Sequence, residues 1–270
     1  MLKDHKLLID EQCPLCQVYG QGFQHLQWID AETISPYQQI EEIYAQQVNM
    51  DRASNEIALL HPPTGQTYYG LDALLHIITT QLPWTKRILR FPLIYRSLWQ
   101  LYNFISYNRK VIAPETLPNT GRICQPDDRP LYRWAYILLV AGITGLVLNE
   151  FAHAMHLAGF IPYHPMREWI LCFGQIIWQG LAIRWIRPGK TMDYLGNMST
   201  ISLLGALIML PVLLVIQWQL LPIGWAAMGF GVAVGFMLRE HLRRSHLLGL
   251  PIWITASWLI YRMLFLLFLL

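Results

Sequence analysis

The chain has 270 residues, 54% of them hydrophobic and 14% charged, with a mean hydropathy of +0.31 and a formal net charge of +3. This composition is too apolar for an ordinary soluble protein and the chain is too long for a single hairpin anchor, so a membrane protein is expected. The small net charge conceals three segments: residues 1–81 carry 10 acidic and 3 basic side chains, residues 82–133 carry 3 and 9, and residues 134–270 carry 4 and 8.

The acidic segment contains no apolar run long enough to cross a bilayer, and Met1 to Glu11 lacks the basic start, apolar centre and small-residue cleavage site of a signal peptide. It is therefore expected to stay in the cytoplasm. His5 to Asp10 reads as a strand, and Pro14 to Trp28 as a helix whose opening proline suits the first helical position. Leu26 to Asp30 can form a second strand, with Ser35 and Pro36 starting a helix that runs to Gln47. Glu56 to His61 reads as a third strand. Pro62-Pro63-Thr64-Gly65 is a turn, Gln66 to Tyr69 returns as a strand, and Gly70 to Leu82 is an amphipathic helix. The order βαβαββα is the thioredoxin-like arrangement.

Residues 82–112 interleave Trp84, Phe91, Tyr95, Trp99, Tyr102, Phe104 and Tyr107 with Lys86, Arg87, Arg90, Arg96, Arg109 and Lys110. Such a segment suits a membrane surface, and equally suits helices that complete the N-terminal core behind a solvated basic edge. With basic residues beside aromatics and directly upstream of apolar spans, nucleic acid is not an expected partner. Pro114 to Pro130 reads as a linker.

Five apolar stretches follow: Trp134 to Ala154, Glu168 to Ile186, Met198 to Gln217, Ile223 to Leu238 and Ile252 to Leu270. The fourth is short and contains Gly224, Gly229, Gly231 and Gly235, so it is expected to pack tightly between its neighbours, and Gly231 and Gly235 have the small-xxx-small spacing. Basic residues precede the first stretch (Arg129, Arg133) and join the second to the third (Arg184, Arg187, Lys190) and the fourth to the fifth (Arg239, Arg243, Arg244). That asymmetry places the N-terminus inside and the C-terminus outside an inner or plasma membrane. The expected organisation is an α/β thioredoxin-like domain over residues 1–112, a linker over 113–133, and an all-α polytopic membrane domain of about five transmembrane helices over 134–270.

The four cysteines include Cys13-Pro14-Leu15-Cys16, too few for a disulfide framework. At the start of a helix after a strand, Cys-x-x-Cys is a thiol-disulfide exchange pair in physical terms: the helix N-terminus stabilises the first thiolate and the second thiol lies one turn along. Cys13 would attack and Cys16 resolve. Half of a zinc site and two inert cysteines are the alternatives, although no second pair exists to complete a tetrahedral zinc site. Asp10 is a candidate proton acceptor for Cys16, or else an acceptor that fixes the loop through backbone N–H groups.

Asp10-Glu11-Gln12-Cys13-Pro14-Leu15-Cys16, the strand from Ile57 to His61, Gly65, Gly70-Leu71-Asp72-Ala73 and Tyr107-Asn108-Arg109 together resemble the DCC family of thiol-disulfide oxidoreductases, over roughly residues 5–112. The resemblance implies a thioredoxin-like domain with Asp10, Cys13 and Cys16 as its signature residues. Two departures accompany it. Ile9 and Glu11 stand where the family usually has an aromatic residue and a glycine, and the carboxylate of Glu11 is expected to make Cys13 less acidic. No counterpart of the thioredoxin cis-proline precedes the Glu56 to His61 strand.

In the apolar half, Glu150, His153 and His156 are spaced to share a helix face, either as metal ligands or as an interfacial polar turn. Arg184 is expected to snorkel inward. Arg262, nearer the middle of the last stretch, is a candidate buried charge facing an anionic lipid or a quinone oxygen, with Glu240 or headgroups as its partner. Cys172 is the sole thiol within the spans, which argues against a cysteine relay across the membrane, and Cys124 falls in the linker. No cofactor and no metal is expected. The expected partners are a thiol- or disulfide-containing protein or small molecule, and membrane lipids. Two rivals stand beside the membrane-anchored oxidoreductase: a non-enzymatic assembly or transport component, and a quinone- or haem-linked redox protein using His153, His156 and Arg262.

Overall fold

The computed structural model describes residues 2, 4–114, 129–217 and 224–268. Its chain divides into two compact units, residues 1–132 and 133–270.

The first unit is organised by four strands, β1 (Lys6–Ile9), β2 (Ile34–Pro36), β3 (Ala58–His61) and β4 (Gln66–Tyr69), in the order β2-β1-β3-β4. β2 runs parallel to β1, with Leu7 opposite Ile34, while β3 is antiparallel to both β1 and β4. Leu7 and Leu59 are buried with Leu74 and Ile77 of helix α4 (Leu71–Gln81), whereas Leu8, Ala58 and Leu60 are buried with Tyr37 and Val48 in a second cluster. Side chains alternate across a strand, so a strand covered on both faces must be apolar at successive positions; this accounts for the unbroken Leu7-Leu8-Ile9 and Ala58-Leu59-Leu60 runs.

Helix α1 (Pro14–His25) leaves β1 through the turn that carries Cys13. It stops three residues short of the expected Trp28. Gln27 takes a left-handed φ of 57°, and the amides of Gln27 and Trp28 donate back to Gln24 O and Phe23 O, which closes the helix in a Schellman motif. Leu26 to Asp30 is consequently turn rather than strand, with Ile29 making an isolated bridge to Leu2. The expected helix from Ser35 to Gln47 is also replaced. Ile34–Pro36 is the edge strand β2, where a proline without an N–H is tolerated, followed by a 3-10 turn and two short helices, α2 (Glu42–Ala45) and α3 (Met50–Asn55). Asn49 caps α3 by accepting from Arg52 N at 3.0 Å.

Past α4, the aromatic and basic stretch forms α5 (Thr85–Leu89) and α6 (Pro92–Ile112). It completes the N-terminal core through the buried Tyr102 and Arg109, and leaves Trp84, Phe91 and Trp99 exposed. Most of the expected linker, and Cys124 within it, lies outside the described residues.

The second unit is helical: α7 (Pro130–Leu157, most of which belongs to it), α8 (Arg167–Ile186), α9 (Thr191–Gln217), α10 (Gly224–Leu247) and α11 (Trp253–Phe268). Three segments, Pro130–Leu157, Arg167–Ile186 and Pro188–Ile216, are long and apolar enough to cross a membrane. The second half of α10 carries Arg239, Glu240, Arg243 and Arg244, and α11 is described over 16 residues. Of the glycines in the fourth stretch, the close approach falls at Gly229 rather than at the spaced pair Gly231 and Gly235. A Cβ at either glycine would meet nothing within 4 Å, whereas one at Gly229 would lie 2.7 Å from Val212, and one at Gly205 would collide with the Met237 sulfur. Spacing alone does not fix helical phase, and here the face toward α9 holds Gly229.

Candidate functional site

Cys13 occupies the N-cap of α1, in extended conformation with φ −89° and ψ 110°, and Pro14 begins the helix. Placing Pro14 at the first position costs no hydrogen bond, and its fixed φ directs the chain into the helix so that Cys16 falls one turn on. Cys13 and Cys16 are both free thiols, each 3% exposed. They lie close together. The Cys16 S–H and backbone N–H donate to the Cys13 sulfur.

Those hydrogen bonds dominate the acidity of Cys13. Its pKa is lowered from 9.0 to about 7: the Cys16 thiol lowers it most, burial opposes, and the Cys16 amide and the Arg109 charge lower it further. The carboxylate that raises it is Asp10. Glu11, expected to have that effect, turns away, and its carboxylate accepts from Gln39 Nε2 at 3.3 Å. The sequence places Glu11 nearer to Cys13 along the chain than the fold does in space.

Asp10 is 3% exposed and its Oδ1 accepts from Gln12 N at 3.0 Å and Gln38 Nε2 at 2.6 Å. The Asp10 carbonyl also accepts from Cys13 N at 3.2 Å. This is the loop-fixing geometry: a buried carboxylate ties the turn to itself and to the segment after β2, with Gln38 Oε1 accepting from Glu11 N at 3.3 Å.

In the sequence Arg109 belongs to the basic aromatic stretch and to the Tyr107-Asn108-Arg109 motif, neither of which says what it touches. In the fold it is 4% exposed, donating from Nη1 and Nη2 to Asn55 O and Ser54 O at 3.3 and 3.0 Å. It shares one face of α6 with Tyr102 and Ser106, at spacings of four and three residues, and all three are buried. The Tyr102 hydroxyl accepts from Ile57 N at 3.3 Å, just ahead of β3. With Leu15, Cys16, Tyr19, Ile57 and Ile105, these side chains enclose a cavity of about 20 Å³, the size of a water. The pattern of buried polar residues at helical spacing in α6 was a usable signal. Gln38, 28 residues from Asp10, had none.

The segment before β3 contains no cis peptide, in keeping with the missing proline. Gly70, which follows β4, has φ +57°, and a Cβ there would collide with Glu56 Oε2 and come within 3.1 Å of the Tyr102 ring. Glycine is required on both counts.

In the second unit the sequence candidates separate. His153 and His156 are exposed and flank the Tyr163 ring at 5.0 and 6.0 Å, with His156 Nδ1 3.0 Å from Ile161 O. Among the described residues no three His, Cys, Asp or Glu side chains are grouped to hold a metal ion. Glu240, the expected partner of Arg262, instead pairs with Arg243 and Arg244 at 2.8 and 3.1 Å, because three and four residues along a helix bring those guanidinium groups onto its own face. Arg262 lies over the Trp258 ring at 4.5 Å and lines a cavity with Cys172.

Comparison with curated proteins gives no match, and comparison with solved structures gives none. The scan against family models matches residues 7–113 to the DCC1-like thiol-disulfide oxidoreductase family, a range that holds Asp10, both cysteines, Gln38, Tyr102 and Arg109. The family supports a redox role, and residues 7–113 are a DCC1-like thiol-disulfide oxidoreductase domain.

Proposed function

We propose that the chain is a membrane-anchored thiol-disulfide oxidoreductase whose N-terminal domain is thioredoxin-like, faces the cytoplasm, and works through Cys13 and Cys16. The observation that carries this is the acidity of Cys13: a helix N-cap sulfur, taking two hydrogen bonds from Cys16, with its pKa lowered to about 7. At neutral pH a substantial fraction is thiolate, the nucleophilic form.

In the reducing direction, the Cys13 thiolate attacks one sulfur of a substrate disulfide and the other sulfur leaves as a thiolate that takes up a proton. Cys16 then loses its proton and attacks Cys13 Sγ, which forms the Cys13–Cys16 disulfide and releases the second substrate sulfur. The substrate gains two electrons and the pair loses two, to be restored by an external dithiol. Proximity makes the second step intramolecular. Asp10 holds the turn that presents Cys13, and its buried carboxylate is the acceptor for the Cys16 proton, directly or through a water. Arg109 is a positioning residue that favours the thiolate through its charge.

The domains take the bounds 1–112, 113–133 and 134–270, with five membrane helices and the C-terminus outside. The three long apolar helices support membrane attachment, and the basic residues between alternate spans support the orientation. Thiol- or disulfide-bearing substrates near the membrane are the partners that this arrangement serves.

The test is mass-tagged alkylation of the full chain in detergent across defined glutathione potentials. The expected result is a single two-electron transition linking Cys13 to Cys16; a pair that stays reduced at every potential overturns the reading. A second reading, a binding module with inert cysteines, is favoured by the burial of both sulfurs, each 3% exposed. Replacing both cysteines with serine separates the two, since only the second reading expects unchanged function in cells.

A further inference from the structure

Within the helical unit, a cavity of about 340 Å³ lies among α7, α8, α10 and α11. That volume is in the range of ligand sites rather than of packing voids. Its walls are apolar, formed by residues such as Phe151, Leu171, Phe230 and Leu259, and three charged side chains line it: Arg167, Glu168 and Arg262. Arg167 and Glu168 neutralise one another, with Nε to Oε1 at 2.8 Å. One positive charge is left over.

That charge is Arg262. Its Nε is buried and has no hydrogen-bond partner among the described residues, and its guanidinium is held at 4.5 Å over the Trp258 ring. Two smaller cavities, of about 20 and 30 Å³, also reach Arg262, each large enough for a water. The first is lined by Gln175 and Thr144, both nearly fully buried, and neither the Gln175 amide nor the Thr144 hydroxyl has a partner. An unpaired guanidinium N–H and an unpaired amide in an apolar helical bundle are costly unless something satisfies them. Apolar walls beside the open N–H of Arg262 offer a tail and a headgroup each a place to bind.

We propose that this cavity binds a single-chain amphiphile with an anionic headgroup, its oxygens on Arg262 and its tail along the walls formed by Phe151, Leu171, Phe230 and Leu259. The net charge of the lining decides for an anion over a neutral carbonyl: a quinone would accept a hydrogen bond and leave the charge uncompensated, whereas a carboxylate or phosphate does both. A free fatty acid and a lysophospholipid share that chemistry.

The experiment is equilibrium binding of tritiated oleate and of lysophosphatidylglycerol to the full chain in nanodiscs of zwitterionic phosphatidylcholine. Methyl oleate and decylubiquinone serve as neutral competitors. Oleate or the lysolipid should bind at about one per chain, as expected for a single preformed cavity. Arg262→Gln should weaken binding about thirtyfold or more, and Arg262→Lys should retain most of it. Tighter binding of one probe identifies its headgroup as the source. Ala227→Trp, which narrows the cavity wall and leaves Arg262 intact, should abolish binding, and decides the matter if Arg262→Gln fails to fold. Equal binding by the wild type and Arg262→Gln, neutral competitors as effective as oleate, or no binding of either anionic probe would each overturn the proposal.

Discussion

Arg109 of the first unit and Arg262 of the second both line cavities among apolar side chains, and the two differ in what meets them. Arg109 donates to the carbonyls of Ser54 and Asn55, which fix the guanidinium in place, and its charge lowers the pKa of Cys13. Among the described residues Arg262 Nε has no such acceptor, and the Trp258 ring under the guanidinium orients the group without taking a proton from it. A buried cation satisfied by carbonyls acts as a fixed field on its neighbours; one left with an open N–H can act as a receptor. On the two proposals, the same side chain would support chemistry in the first unit and recognition in the second.

The cysteine half of this comparison breaks first under Cys13→Ser. Disulfide reduction by the full chain should fall by at least about a hundredfold, because the attacking sulfur is gone, while Cys16→Ser should accumulate a mixed disulfide on Cys13. Equal residual activity in the two variants would mean that the order of attack is wrong. Next in size is Gly70→Ala, which sets a Cβ against Glu56 Oε2 and the Tyr102 ring at a left-handed φ. It should destabilise the N-terminal unit by about 2 kcal/mol, read as faster proteolysis of that unit in the intact chain; a change below about 0.5 kcal/mol would show that Tyr102 is not held where it receives the Ile57 amide. Gln38→Ala removes the shorter of the two hydrogen bonds to Asp10 Oδ1 and should cost about 1 kcal/mol by the same measurement.

The sequence made the central strands and the pair itself legible, since β1, β3 and β4 are short apolar or β-branched and aromatic runs bounded by turn residues, and Pro14 marks where α1 begins. It misled between Leu26 and Gln47. The left-handed Gln27 ends α1 without the glycine that usually signals such a stop, and Pro36, a good helix starter, sits instead in an edge strand whose pairing with β1 is a tertiary event. The site was half legible. Cys13, Cys16 and Asp10 are local in sequence, but Gln38 and Arg109 reach them from 28 and 96 residues beyond Asp10 and Cys13, across contacts that no local pattern encodes. In the helical unit Arg262 stood out as a charge in an apolar run, but the partner expected for it, Glu240, pairs with Arg243 and Arg244 on its own helix.

The smallest effect is the most discriminating. Arg109→Gln keeps a donor for the Ser54 and Asn55 carbonyls and removes the charge, so it should raise the Cys13 midpoint above about 7 and lower the thiolate fraction at pH 7 about twofold. The ultraviolet absorbance of the thiolate, corrected with Cys13→Ser, reads this directly. Cys16→Ala should raise the midpoint further, because the Cys16 thiol lowers it more than Arg109 does. The sign on stability follows. A thiol whose folded pKa lies below its unfolded value of 9.0 contributes stability that is full above pH 9 and is lost as pH falls through about 7, so the wild type should gain on Arg109→Gln as pH rises between those values. If Arg109→Gln moves the midpoint more than Cys16→Ala, the thiolate is held chiefly by the field of the arginine rather than by its neighbouring thiol, and the two buried guanidinium groups differ less in strength of action than in what they act upon.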